Sequence, residues 1–140
     1  GRAGTHKYDL ALALIAVDAF RNYVEMYGIS GAHALLARVV QIIGRHMRAV
    51  DLLARFGADE FILCLSDVKE AEAETKLEAI RQDVLKEAAG KADTPIHLTI
   101  GRLPLSNTAL NRDLKTILAE LGRVFGDAKG HPHLRREDVL

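Results

Sequence analysis

Two short apolar, β-rich runs, residues 52–56 (LLARF) and 61–65 (FILCL), stand on either side of Gly57-Ala58-Asp59-Glu60. A tight glycine-led tetrad between strand-forming runs specifies a hairpin, here with two adjacent carboxylates at its tip. Polar residues sit at turn tips for solubility alone, so the carboxylates acquire meaning only from their surroundings.

The elements on either side follow from periodicity. Residues 10–17 (LALALIAV) form a continuous apolar run, the pattern of a central strand buried on both faces. A helix competes, because alanine and leucine favour one, but the shortness of the run and the following Asp18 favour a strand. Asp18 is placed to cap a short helix over 19–27, ended by Gly28 in a left-handed position. Ser30 is placed to cap a longer helix reaching about Arg48, with Leu35, Leu36, Val39, Ile42, Ile43 and Met47 as its apolar stripe. After the hairpin, Asp67 and Glu70 make a capping box for a helix over 68–89, with Leu77, Ile80, Val84 and Leu85 inward. Residues 90–94 read as a linker and 96–103 as an alternating strand. Residues 104–111 read as a loop, and Leu114, Ile117, Leu118, Leu121 and Phe125 mark a last helix. The order is strand, helix, helix, strand, strand, helix, strand, helix. It predicts an α+β fold, a mostly antiparallel central sheet flanked by helices.

Composition narrows the function classes. One domain with one core suits 140 residues. With 19 basic and 19 acidic residues the net charge is zero, so no global field gathers nucleic acid or anionic membrane. Three tyrosines, four phenylalanines and no tryptophan offer no aromatic platform for single strands. Cys64 stands alone, which excludes an intrachain disulfide and fits a reducing, cytoplasmic compartment. No apolar run approaches the roughly 20 residues of a membrane helix. The chain opens GRAGTHKY without an initiator methionine, as expected of a domain cut from a larger multidomain protein. His131 and His133 flank Pro132 without metal-ligand spacing, and the other histidines show none either.

Several motifs stand in a recognisable sequence: VDAF, YGISGAHALL, RAVDLLARFGADEF, HLTIG and DAK. In this order they resemble the GGDEF domain of the diguanylate cyclase family, bacterial signalling domains with a palm-like nucleotide-cyclase fold. Ala58 replaces the second glycine of the signature. The resemblance covers about residues 10–129. It implies a domain over 1–130, followed by a tail, 131–140, that is either mobile or a short last strand.

The resemblance also implies where chemistry would reside. Joining two GTP molecules into cyclic di-GMP needs a divalent metal on hard oxygen ligands. The family takes one ligand from an aspartate ending the first strand and one from the third position of the turn. Asp59 holds the turn position, next to Glu60, but the strand position is Ala16, whose methyl ligates nothing. Asp59 is thus the one metal ligand left, and a weak one alone. Asp18 matches a second, usually non-ligating aspartate, expected on the opposite face where strand pairing runs through it. The family's guanine-reading asparagine and aspartate are here Val24 and His33, which cannot replace those partners. Ala58 adds a Cβ where the turn would approach phosphates. Lys129 matches a phosphate-binding lysine, and His133 stands where an arginine is usual.

One constellation survives. Arg48-Ala49-Val50-Asp51 matches the family's inhibitory-site pattern, an arginine and an aspartate separated by two residues. A guanidinium can grip a guanine's O6 and N7 or a phosphate, and an aspartate can accept from N1 and N2. The bland alternative is a local ion pair at a helix end, worth little when exposed. The family adds a further arginine from a neighbouring helix or a second protomer; Arg81 is the candidate, with Arg45 weaker. The resulting expectation is a non-catalytic receptor for cyclic di-GMP, acting through Arg48, Asp51 and Arg81 on attached sensor or effector domains or in a homodimer. It requires no cofactor, magnesium being needed only if a nucleotide still binds. It expects no contact with nucleic acid and none with a membrane within this segment. Alternatives are a nucleotide-independent dimerisation or protein-interaction module, a GTP-binding regulatory domain resting on Asp59, Glu60 and Lys129, and, last, an active cyclase.

Overall fold

A computed structural model of the chain describes residues 7–105 and, beyond them, the helical Ala119 and Arg123. The rest of the expected last helix, Lys129, His133 and the tail lie outside the described residues. The elements are β1 (Lys7–Val17), α1 (Phe20–Arg45), β2 (Leu52–Arg55), β3 (Glu60–Lys69), α2 (Glu70–Glu87) and β4 (Leu98–Leu105). The strands lie in the order β2-β3-β1-β4, and each neighbouring pair is antiparallel. This is the expected α+β architecture.

β1 is central, as its uninterrupted apolar run requires. Alternate side chains divide between two clusters. Ala11, Ala13, Ile15 and Val17 join the core shared with the helices, which includes Leu36, Val39, Ile43, Leu63, Leu65 and Ile80. Leu12, Leu14 and Ala16 join Leu103 in a second cluster, with Phe56, Ile62 and Cys64 against it. Burial pushes the Cys64 thiol above its ordinary range.

Three boundaries differ from expectation. Asp18 does not cap α1. Its N–H bonds the carbonyl of His97 at 2.9 Å, carrying the pairing with the β4 segment one residue past β1. The turn into the helix therefore falls on Ala19, in a left-handed conformation without a side-chain cap. The two expected helices do part at Gly28, inside α1: its φ of 82° and ψ of 168° break the helical path and are open in practice only to glycine. α1 then stops at Arg45, because the amides of His46 and Met47 fold back onto Ile43 and Gly44, so Arg48 lies in the following loop and not in a last helical turn.

The third difference concerns the start of α2. The sequence predicts a cap at Asp67, yet β3 runs on to Lys69, with Lys69 opposite Lys7 and Val68 opposite Tyr8. Val68 is buried in the helix-side core, and Asp67 just before it takes a positive φ of 52°, so the strand resumes beyond a local kink rather than giving way to the helix. Capping moves two residues on: the Glu72 carboxylate accepts the Lys69 N–H at 3.1 Å. The stripe of Ala73, Leu77, Ile80, Val84 and Ala88 is buried, whereas Leu85 is half-exposed.

By length and composition α1 passes for a membrane-spanning helix, with a mean hydropathy of 1.3 in its best window, which the expectation from apolar runs did not register. Arg21, Glu25 and Arg38 interrupt it, and Leu35, Leu36, Val39, Ile42 and Ile43 pack in the core. The link from α2 to β4 is tied to α1 as well: the Tyr23 hydroxyl accepts the Lys91 N–H at 2.9 Å.

Candidate functional site

The hairpin closes through two amides. The N–H groups of Phe56 and Gly57 donate to the Glu60 carbonyl at 2.8 and 3.2 Å. The Arg55 guanidinium donates to the Gly57 and Ala58 carbonyls at 2.7 and 2.6 Å and lies 5.7 Å from the Phe61 ring centroid. Ala58 is thus exposed on a turn whose carbonyls are clamped from one side. The Val17 N–H donates to the Asp59 carbonyl at 3.0 Å, which pins the turn against the end of β1. Strand end and carboxylate tip meet, as the metal chemistry of a cyclase would demand.

The last position of β1 before Val17 carries a methyl group. Ala16 lies opposite Glu60 on β3 and Thr99 on β4. It is only 1% exposed and packs with Leu12, Leu14 and Leu103. Asp18 does not point away from this face. Residues directly opposite share a face, so Thr99 stands on the side of Ala16, and its hydroxyl donates to the Asp18 carboxylate at 2.6 Å. The reason is periodicity, since alternate strand positions fall on one face. Among the described residues no three His, Cys, Asp or Glu side chains gather as a metal site. The position that the resemblance assigns to the strand-end ligand is the Ala16 methyl, which offers no metal-binding atom.

The two positions that the resemblance assigns to guanine reading differ in their surroundings. His33 is exposed and lines an open groove of about 430 Å³ with Leu36, Ala37, Val40, Gln41, Arg55 and Phe61. Val24 packs half-buried against the helix-side core and is not among those lining residues.

Arg48 and Asp51 do converge. The Asp51 carboxylate accepts from the Arg48 amide at 2.8 Å, from Arg48 Nε at 3.2 Å and from Arg48 Nη2 at 2.9 Å. The Ser66 amide points to the same group at 3.4 Å, and Lys76 Nζ stands 3.6 Å away. The Asp51 side chain is 0% exposed, that of Lys76 19% and that of Arg48 40%. Burial alone pushes the Asp51 carboxyl up, but the hydrogen bonds and charge of Arg48, with the Ser66 amide, outweigh it and hold it below the usual carboxylate range. Arg48 is raised in turn, first by its bond to Asp51. The pair is a surface arginine fixed on a buried anion, a stronger arrangement than an exposed ion pair.

Arg81 takes no part in this network as the structure stands. It is paired with Glu78 on its own helix, which it holds down to about 2, and it lines a groove with Leu77, Ile100 and Arg102. Five positions from Lys76, it lies about 140° round α2. Arg45 binds Glu87 at 2.9 Å. The cation that α2 brings to Asp51 is Lys76, which sequence reasoning missed. Its spacing from Ala73 and Ile80 places it at the edge of the buried stripe, and that spacing was the available signal.

Comparison with known proteins agrees with this geometry. The family model described as diguanylate cyclase, GGDEF domain, matches residues 1–130. Diguanylate cyclase A of Treponema denticola is 29% identical over 81% of this chain and 30% of its own length. Diguanylate cyclase DosC of Escherichia coli K12 is 33% identical over 71% of this chain and 22% of its own. The chain thus spans less than a third of these relatives. In fold it is similar to the GGDEF domain of DgcB from Caulobacter crescentus in complex with c-di-GMP (TM-score 0.76, 18% identity, 90% of this chain and 75% of that one). It is also similar to the active GGEEF domain of a diguanylate cyclase from Vibrio cholerae (TM-score 0.76, 21% identity, 90% of this chain and 80% of that one). With its antiparallel sheet, its carboxylate hairpin and a family match over nearly its whole length, the chain belongs to the GGDEF domain family of diguanylate cyclases.

Proposed function

We propose that this GGDEF domain makes no cyclic di-GMP and receives it instead, at Arg48, as a cytoplasmic regulatory module of a larger protein. The observation that carries the reading is the contrast between two carboxylate positions. The strand end that should offer a metal ligand is the buried methyl of Ala16, whereas Arg48 is held half-open by the buried Asp51. An arginine oriented in this way loses little freedom on gripping a phosphate or a guanine edge. The solved DgcB domain with c-di-GMP shows that a domain of this fold takes that ligand. Occupancy would pass to attached domains through the loop between α1 and β2, where Arg48 and Asp51 both reside.

Titration calorimetry with cyclic di-GMP tests the reading. Micromolar binding to the wild-type chain, lost in Arg48→Ala, supports it. Absence of heat at ligand concentrations up to 100 times that range, about 3 kcal/mol weaker, overturns it. Formation of cyclic di-GMP from GTP and magnesium would overturn its non-catalytic half.

A second reading has its own observation. Val50 and Leu52 flank Asp51 and are 59% and 68% exposed. Such neighbouring apolar side chains suit a protein contact, a homodimer or a partner domain. That reading predicts association that is insensitive to cyclic di-GMP and to Arg48→Ala but is lost in Leu52→Asp, as read by sedimentation.

A further inference from the structure

Three of the five N–H donors of Arg48 are committed inside the protein: Nε and one hydrogen of Nη2 to Asp51, the other hydrogen of Nη2 to the Ser66 carbonyl. Only the Nη1 hydrogens remain for a ligand. A two-pronged grip on a guanine's O6 and N7, or on a phosphate, engages both terminal nitrogens. Arg48 must therefore give up part of its hold on Asp51 and Ser66 to bind a cyclic dinucleotide in that way. Left with no cation, a carboxylate as buried as that of Asp51 is strongly unfavourable, and release of Arg48 would be forbidden.

Lys76 removes the prohibition. Its ammonium lies 3.6 Å from the Asp51 oxygen that Arg48 Nε also holds, and it comes from α2, an element independent of the loop that carries Arg48. The lysine is the more buried of the two cations, so it is the less available to solvent or ligand. The Ser66 amide stays on the other oxygen. We infer that Lys76 is the standing counter-ion of Asp51, which frees Arg48 to move from the carboxylate onto a ligand. Lys76 is a positioning residue: it acts on the ligand only through Asp51 and Arg48. The inference rests on the reading of Arg48 as the cyclic di-GMP contact, but its first consequence needs no ligand.

That consequence is a coupling. With Lys76 present, Arg48→Ala leaves Asp51 neutralised and changes the unfolding equilibrium little. In a Lys76→Met background the same change strips the carboxylate of its last cation. Urea unfolding of wild type, Arg48→Ala, Lys76→Met and the double variant should give a coupling of tenfold or more in the unfolding constant. Additivity within threefold overturns the inference. A double variant that is unfolded in buffer counts as coupling where the two single losses sum to less than the wild-type stability; otherwise all four chains are compared in a stabilising osmolyte by the same criterion. Calorimetry on the single variants reads the second consequence. Cyclic di-GMP should bind Lys76→Met at least tenfold more weakly and Lys76→Arg within threefold of wild type. Wild-type affinity in folded Lys76→Met overturns the inference. A wild-type chain that shows coupling but takes up no ligand overturns the proposed function and leaves the counter-ion role of Lys76 standing.

Discussion

The Thr99 hydroxyl donates to the Asp18 carboxylate at 2.6 Å across the junction of β1 and β4. Thr99 also lies directly opposite Ala16, so the Asp18 carboxylate on this face is held by a hydroxyl beside the methyl. Removing the hydroxyl while keeping the shape, in Thr99→Val, should cost about 2 kcal/mol, the scale of a hydrogen bond to a charged group. Urea midpoints read the loss. A midpoint equal to wild type in both Thr99→Val and Thr99→Ser would show that the bond contributes nothing.

Ala16→Asp restores the family's residue at the strand end. In this chain it should not restore catalysis, because Val24 and His33 still offer no guanine partners. It should instead destabilise. A charge placed where Ala16 packs against Leu12 and Leu14 costs about 3 kcal/mol unless paired. Unfolding in the presence of a chelator measures that cost. A variant as stable as wild type under those conditions would show that the site relaxes to accept a carboxylate.

Asp51 carries a pH prediction. Its folded-state pKa is depressed, so its contribution is fully present above the unfolded value of about 3.9 and is lost as pH falls through the folded value. The Arg48 and Lys76 side chains face it, while Glu72 and Asp67 act on Arg48. Asp51→Asn should be less stable than wild type by about 3 kcal/mol at neutral pH. The gap should narrow below pH about 4, as the wild-type carboxylate protonates. Unfolding midpoints for both chains between pH 7 and 2 check the sign: a gap that stays constant or widens in acid contradicts it.

What the sequence disclosed and what it hid divide along the range of the interactions. The continuous apolar run over 10–17 and the polar tetrad at 57–60 are local patterns, and both elements stand where they were read. Ala16 was legible because a fixed spacing from Asp18 named the position. By contrast, Asp67 reads as a helix cap, and only the pairing of Ser66 with Leu10 and of Val68 with Tyr8 carries β3 past it. The burial of Asp51 and its link to Lys76 depend on α2 folding back over the sheet, 25 residues along the chain, which no local pattern encodes. Arg81 illustrates the same limit: α2 sets it beside Ile100 and Arg102, a placement that its residue type does not encode.

Gly28 gives the most direct test of a local reading. Its φ of 82° and ψ of 168° interrupt α1, and a Cβ there would meet nothing within 4 Å. Any cost of Gly28→Ala must therefore be conformational, about 2 kcal/mol for an alanine forced into a region nearly exclusive to glycine. The alternative is that the variant straightens α1 through residue 28, which would swing Met26 and Ile29, both largely exposed, relative to the sheet. Helical signal by circular dichroism separates the two: unchanged signal with a lowered urea midpoint is the expected result. A rise in helicity with no loss of stability would show that the interruption is set by glycine's freedom alone and not by the packing of Tyr23 and Leu35 on either side.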